Sequence, residues 1–213
     1  MRVVLTVVLA LTVAGAALGA RGDPEKQIRP ADQARASAML LRGADFNPAF
    51  TTRPSSSGGS GDFYCAALDE SDLTLTGEAR SQSFTATTEY VTSTAYVYVS
   101  RSDSNASWKR GTSAAGEQCL RVGLRGEFQG TGVRLVSFKK LSLPKRGQRS
   151  GAFRAIATQQ GLRVYLDIVA MQVSRAQAAV IYVSALSPPP QGELRRLTGL
   201  VAKRAEKAMR GAS

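Results

Sequence analysis

Between residues 132 and 186 the chain sets out four apolar segments with almost nothing between them. Residues 132–143 carry Val133 and Leu135, and residues 151–158 carry Phe153, Ala155 and Ala157 at every second position. Residues 162–173 keep the same rhythm with Val164, Leu166, Ile168 and Ala170, and residues 176–186 follow after the short turn Ser174-Arg175. A period of two is strand patterning. Parallel neighbours need a crossover of about a dozen residues or more, and these connections are too short for one, so the strands must pair antiparallel. Pro188, Pro189 and Pro190 then end the sheet, because proline has no amide hydrogen for a ladder.

The flanking segments supply helices and further strands. Residues 31–42 place Ala31, Ala34, Ala38 and Leu41 at helical spacing behind Pro30, with Gly43 as a stop. Residues 51–61, TTRPSSSGGSG, have the composition of a flexible loop. Phe63, Cys65 and Ala67 alternate, as do Leu73 and Leu75, and the threonine- and tyrosine-rich run 87–100 favours strand. Residues 104–124 return to a helical pattern, broken near Gly111-Thr112 and restarted by Ser113 as N-cap, with Ala115, Cys119, Leu120, Val122 and Leu124 as the expected inward face. Leu194, Leu197, Val201, Ala205 and Ala208 make an i, i+3, i+4 stripe on a terminal helix. That stripe is expected to pack on the sheet; the helix lacks the Trp and Phe of a membrane-surface helix, although Arg195, Arg196, Lys203, Lys207 and Arg210 lie opposite it. The expected class is α+β: a mostly antiparallel β-sheet with helices packed on one face and a C-terminal helix.

Residues 1–20 read as a secretory signal. Arg2 precedes an apolar run of about a dozen residues and then small residues, with cleavage expected between Ala16 and Arg21. The organisation that follows is residues 21–61 as an N-terminal helix and Ser/Gly-rich loop, and residues 62–213 as a single α+β domain. Outside the cytosol two thiols 54 positions apart, Cys65 and Cys119, are expected to form a structural disulfide joining a strand to a helix.

The chain has no histidine, which removes Ser–His and Cys–His nucleophile pairs and imidazole metal sites; two cysteines cannot make a four-thiolate zinc site. There is no Gly-x-Ser-x-Gly elbow, so no catalytic residue, metal or cofactor is assigned and the chain reads as a non-enzyme. Asp69-Glu70-Ser71-Asp72 lacks the alternating ligands and the glycine of a calcium loop and reads as a solvated turn. The tripeptides Arg21-Gly22-Asp23 and Asn105-Ala106-Ser107 match integrin and glycosylation motifs but are short enough to arise by chance.

Several scattered segments carry a resemblance: Trp108 with Cys119-Leu120, the strand Val164-Tyr165-Leu166-Asp167, the turn Ser174-Arg175-Ala176, and the closing Leu200-Val201-Ala202-Lys203-Arg204. Over residues 62–209 the chain resembles exported actinobacterial proteins that include the extracellular sensor domains of mycobacterial serine/threonine kinases, and more loosely the PsbP-like fold. The family usually has Gly where this chain has Ser174. The resemblance implies a ligand-sensing or envelope-binding domain without catalysis, its cleft between sheet and helices. Arginine outnumbers lysine 21 to 7, which fits a high-GC bacterial origin.

Charge is uneven. Residues 101–163 hold 13 basic against 3 acidic residues, whereas residues 44–100 hold 2 against 7. Lys139, Lys140, Lys145, Arg146 and Arg149 cluster around Pro144 and are the candidates for contact with an anionic lipid or wall polymer. No aromatics interleave with them for base stacking, so no nucleic-acid partner is expected. Tyr90, Tyr96, Tyr98 and Trp108 are the candidates for lining an apolar ligand pocket. The expected function is non-covalent binding at the cell envelope, of a small apolar ligand or an anionic surface. The competing readings are a hydrolase of wall or lipid and a structural subunit docking an acidic partner. Protein recovered from the secreted fraction is expected to begin between residues 17 and 21, which intact mass measurement checks; an intact Met1 would refute it.

Overall fold

The computed structural model describes residues 22–54 and 64–211. The signal segment, its cleavage region, Phe63 and most of the Ser/Gly-rich stretch lie outside the described residues. Among the described residues nine strands form one sheet: β1 (Glu25–Lys26), β2 (Thr51–Arg53), β3 (Thr74–Arg80), β4 (Ser83–Thr85), β5 (Glu89–Tyr98), β6 (Val133–Lys140), β7 (Arg149–Gln159), β8 (Leu162–Val173) and β9 (Ala176–Ala185). Their order is β1-β3-β5-β9-β8-β7-β6, with β4 beside β5 and β2 beside β4. Every pairing is antiparallel except β1 with β3. The class is therefore α+β, with the meander from β6 to β9 where the alternation placed it.

Hairpin chemistry explains the tight connections. Gln160 and Gly161 both take positive φ, +49° and +81°, as a two-residue turn matching strand twist prefers. Between β8 and β9 it is Ser174 that adopts φ +55°, a region glycine enters freely and other residues at a cost of about 1 kcal/mol or more. Its amide donates to Gln148 Oε1 at 3.0 Å and its hydroxyl accepts from Arg101 Nε at 3.2 Å, so neighbours hold the turn.

Among the described residues four helices cover the sheet: α1 (Pro30–Met39), α2 (Arg101–Thr112), α3 (Ala114–Glu127) and α4 (Gln191–Ala208). On one face α1 and the C-terminal helix α4 pack together, burying Ala36, Met39, Leu194, Leu197 and Val201 against Val91, Val97, Met171 and Val180. Helices are expected on one face, but this pair covers one side and a second pair covers the other. The strand residues of alternate parity face the α2–α3 hairpin, where Leu124 and Phe128 join Tyr90, Phe153, Leu166 and Val183 in a second core. Ser113 makes the hairpin abrupt: it ends α2 and caps α3, its hydroxyl accepting from the Gly116 amide at 2.9 Å. A Cβ on Gly116 would sit 2.0 Å from the Arg110 carbonyl, so only glycine lets the two helices meet this closely.

Three local expectations need correction. Thr51–Arg53 is an exposed edge strand on β4, not loop. Cys65 and Ala67 do not belong to a strand: Ala66–Leu68 is a single 3₁₀ turn, because the segment lies over α2 and α3 with no strand beside it. Ala115 and Val122 are exposed on α3, and the buried positions are Gly116, Cys119, Gly123 and Leu124. Close helix approach selects small residues, which a search for apolar periodicity passes over.

A polar node ties the α1 face together. Asp32, only 2% exposed, accepts from both Arg175 terminal nitrogens at 2.9 and 2.7 Å, from Thr76 at 2.7 Å and from Arg35 at 2.7 Å. Burial alone would raise the Asp32 pKa, but the bonds from Arg175, Thr76 and Arg35 outweigh it and hold the carboxyl well below its ordinary range. Asp45 is likewise lowered against burial, by the two-pronged Arg204 contact at 2.6 and 2.7 Å. Because both folded pKa values lie below the unfolded ones, this stabilisation is complete above the unfolded value of about 3.9 and fades as the pH falls through the folded values. Asp32→Ala leaves Arg175 buried without its partner and is expected to cost about 3–5 kcal/mol in urea unfolding at pH 7, a difference that shrinks in melts below pH 4.

Candidate functional site

One side chain per strand opens the sheet beneath α2 and α3. Register aligns Gly151 of β7 with Ala170 of β8, Ala170 with Ala179 of β9, Ala179 with Thr94 of β5, and Thr94 with Arg80 of β3. The middle of this row carries nothing larger than a threonine. Flanking rows are bulkier, Phe153–Ile168–Ile181 on one side and Gln172–Gln177–Tyr96 on the other. The small row is therefore a trough, three inter-strand steps or roughly 14 Å long, with Arg80 at its β3 end. Ala170 and Ala179, in central strands under helices, remain partly accessible because the trough is open.

The resulting cleft holds about 510 Å³. Its floor includes Ile168, Ala170, Ala179 and Ile181, and its roof includes Trp108, Leu120 and Leu124. The roof is fixed at three points. Gln177 donates to the Ser104 carbonyl at 2.8 Å and Gln172 to the Ser104 hydroxyl at 2.9 Å, docking α2 on β9 and β8. Arg110 grips Asp72 with two bonds of 2.6 and 2.7 Å. The Cys65–Cys119 disulfide is formed, with a Cα–Cα distance of 6.0 Å, and fastens the 64–68 segment to α3. It staples a loop rather than a strand to the helix.

One end of the cleft is polar. Tyr98 donates to Glu70 Oε2 at 2.9 Å, and the Ser107 hydroxyl lies 2.8 Å from the Tyr98 oxygen. Burial pushes the Glu70 carboxyl up, and the bonds from Ser107 and Tyr98 only partly offset it. Burial and the Glu70 charge raise Tyr98 well above its ordinary value, and burial first, then Glu78, pushes Tyr96 up to about 12. The Tyr98 phenol is thus a fixed donor to a carboxylate and unsuited to take a proton from Ser107. Glu78 is paired with Lys26 at 2.7 Å, and Arg80 Nε is buried without an acceptor among the described residues.

Tyr96, Tyr98 and Trp108 line this cleft, and Tyr90 does not. Tyr90 faces the same side of the sheet but lies six residues, about 20 Å, along β5 from Tyr96; it is 3% exposed in the second core, its hydroxyl accepting from Ser83 at 3.2 Å. Arg80 and the small-residue row were not singled out by the sequence; Ser107 entered only within a sequon, and Glu70 only within a turn read as solvated, whereas it is partly buried under Tyr98. Small residues at alternate strand positions carry the signal, but only the cross-strand register turns them into a line.

The five basic candidates do not form one face. Lys139 and Lys140 are successive on β6 and point to opposite sides. Lys140 lies 3.5 Å from Glu117, and Arg146 reaches α4, its Nη2 donating to the Arg195 carbonyl at 3.5 Å. Lys145 and Arg149 are exposed and make no ion pair among the described residues. Of the 69–72 acidic turn, Asp69 accepts from the Ser71 amide and the Tyr64 hydroxyl, Glu70 from Tyr98, and Asp72 from Arg110. Among the described residues no group of Cys, Asp and Glu is placed to hold a metal ion, and no helix is long and apolar enough to cross a membrane.

Removing the Tyr98 bond should push Glu70 higher still: in Tyr98→Phe a carbon-13 carboxyl titration is expected to show the Glu70 midpoint raised relative to wild type. A scan against protein-family models finds no match to the chain, and a search of curated proteins finds no relative.

Proposed function

We propose that the protein is an exported, non-enzymatic binding domain that takes a small apolar or amphipathic ligand into the cleft between the sheet and the α2–α3 hairpin. The observation that carries this reading is the row Gly151–Ala170–Ala179–Thr94. A sheet core packed to ordinary density has no reason to align its smallest side chains across four strands under a helical roof. Here the alignment leaves an apolar volume in the size range of small-ligand sites, with a few polar groups at one end to orient what enters. The disulfide supports export, since such bonds persist in oxidising compartments, and the resemblance to exported sensor domains points the same way.

An anionic-surface role through the five basic residues is less well supported, because they are divided between faces and Lys140 is already beside Glu117. The hydrolase reading needs an activated nucleophile, and Ser107 has only a protonated phenol and a desolvated carboxyl beside it.

Single-chain amphiphiles at about a hundred times their Kd are expected to raise the melting temperature by roughly 5–10 °C. Ala170→Leu and Ala179→Leu, which fill the trough, are expected to abolish that shift while leaving the unliganded protein folded. Equal shifts in wild type and both variants would place the ligand elsewhere.

A further inference from the structure

A second cavity of about 600 Å³ lies where the trough ends. It opens beneath the 141–148 loop, and its charged lining residues are Lys140, Lys145 and Arg149, with no Asp or Glu among its lining. The two cavities share four wall residues: Trp108, Thr112, Gly151 and Phe153. Gly151 is the last member of the small row, and the site its Cβ would take is 3.9 Å from the Trp108 ring and 3.7 Å from Thr112. The apolar trough therefore runs up to the basic cavity, and the edge of Trp108 and the Thr112 methyl stand beside the glycine at their junction.

The ends of this path differ in charge. At the β3 end Asp23, Glu70 and Glu78 accompany Lys26 and Arg80. At the β7 end there are three cations, of which only Lys140 has a carboxylate nearby, Glu117 at 3.5 Å. An amphiphile lying in the trough gains most if its charged end is negative and points toward β7, where Lys145 and Arg149 have no ion-pair partner among the described residues to give up. Leu141, Leu143 and Pro144 line the cavity beside the cations, so the carbon next to a head group is also covered.

We propose that the two cavities are one site for an acyl-chain amphiphile with a phosphate or carboxylate head, its chain in the small-residue trough and its head held by Lys145 and Arg149, with Lys140 adjacent. The proposal rests on the cleft being a ligand site, and it adds the ligand's charge and orientation. Trp108, the only tryptophan in the chain, stands in the shared wall and reports occupancy by its fluorescence.

The test titrates the oxidised protein with decyl phosphate, with decanoate and with decanol, following Trp108 emission, and with inorganic phosphate alone. Decyl phosphate and decanoate are expected to bind about tenfold more tightly than decanol. The double variant Lys145→Gln/Arg149→Gln is expected to bring all three close together while leaving decanol affinity in place, and added salt is expected to weaken only the charged ligands. Equal affinities in the wild type overturn the proposal and leave the cleft reading standing; no response to any of the three removes both. An unchanged preference in the double variant also overturns it. So does displacement by inorganic phosphate with the affinity of the amphiphile, which would mean a bare anion site. Binding to anionic vesicles that Ala170→Leu fully retains would mean adsorption to a surface, and would likewise refute it.

Discussion

The Asp32–Arg175 pair is the contact on which the arrangement of layers depends. Asp32 stands in the first turn of α1, Arg175 on the β8–β9 hairpin, and Thr76 at the irregularity that shifts β3 against β5. Arg175 also donates to the Tyr98 carbonyl at 2.7 Å, so one guanidinium joins the first helix, the β5 terminus and the central hairpin. Buried charges are tolerated when every lone pair and hydrogen finds a partner, and here the carboxylate has four donor contacts. Gly77 belongs to the same junction: a Cβ there would sit 2.4 Å from the Asp32 carbonyl, so α1 lies directly on β3.

The opposite face is built on a different principle. The α1–α4 side is filled with interlocking aliphatic side chains, whereas the α2–α3 side is held at its margins by Gln172, Gln177, Asp72 and the disulfide. A roof pinned at its edges can stand over a floor of small residues without collapsing onto it. A rigid sheet, a closely packed back and a loosely filled front suit the proposed binding function, because the cleft is set by elements that would not have to fold around a ligand.

Charge follows the same division. Paired ions serve the fold: Arg154 with the fully buried Asp167, Arg204 with Asp45, Arg110 with Asp72. Two cations with no ion pair among the described residues, Lys145 and Arg149, line the cavity near the β6–β7 connection, where Gly151 lies between two cavities. The excess of basic residues over the middle of the chain is thus partly consumed by architecture, and Lys145 and Arg149 from what remains stand at one mouth.

Much of the fold could be read in advance, because it is written in local terms. Period-two alternation with short turns determined the antiparallel meander, residues 162–173 matching β8 end to end, and Ser113 marked the α2–α3 break because capping is a property of neighbouring residues. Tyr96, Tyr98 and Trp108 were legible as candidates, but nothing local separated them from Tyr90, which shares their chemistry and their strand face. The sequence by itself determined the meander, the main helices, the class and the pairing of two cysteines, but not the edge strand at Thr51–Arg53 or the 3₁₀ turn at Ala66–Leu68. Only the tertiary structure decided which side chains meet: Glu70 under Tyr98, Lys139 turned away from Lys140, and four small residues in line across four strands. The physical reason is that alternation specifies which way a side chain points, whereas a cavity is specified by cross-strand register and by helices arriving from elsewhere in the chain.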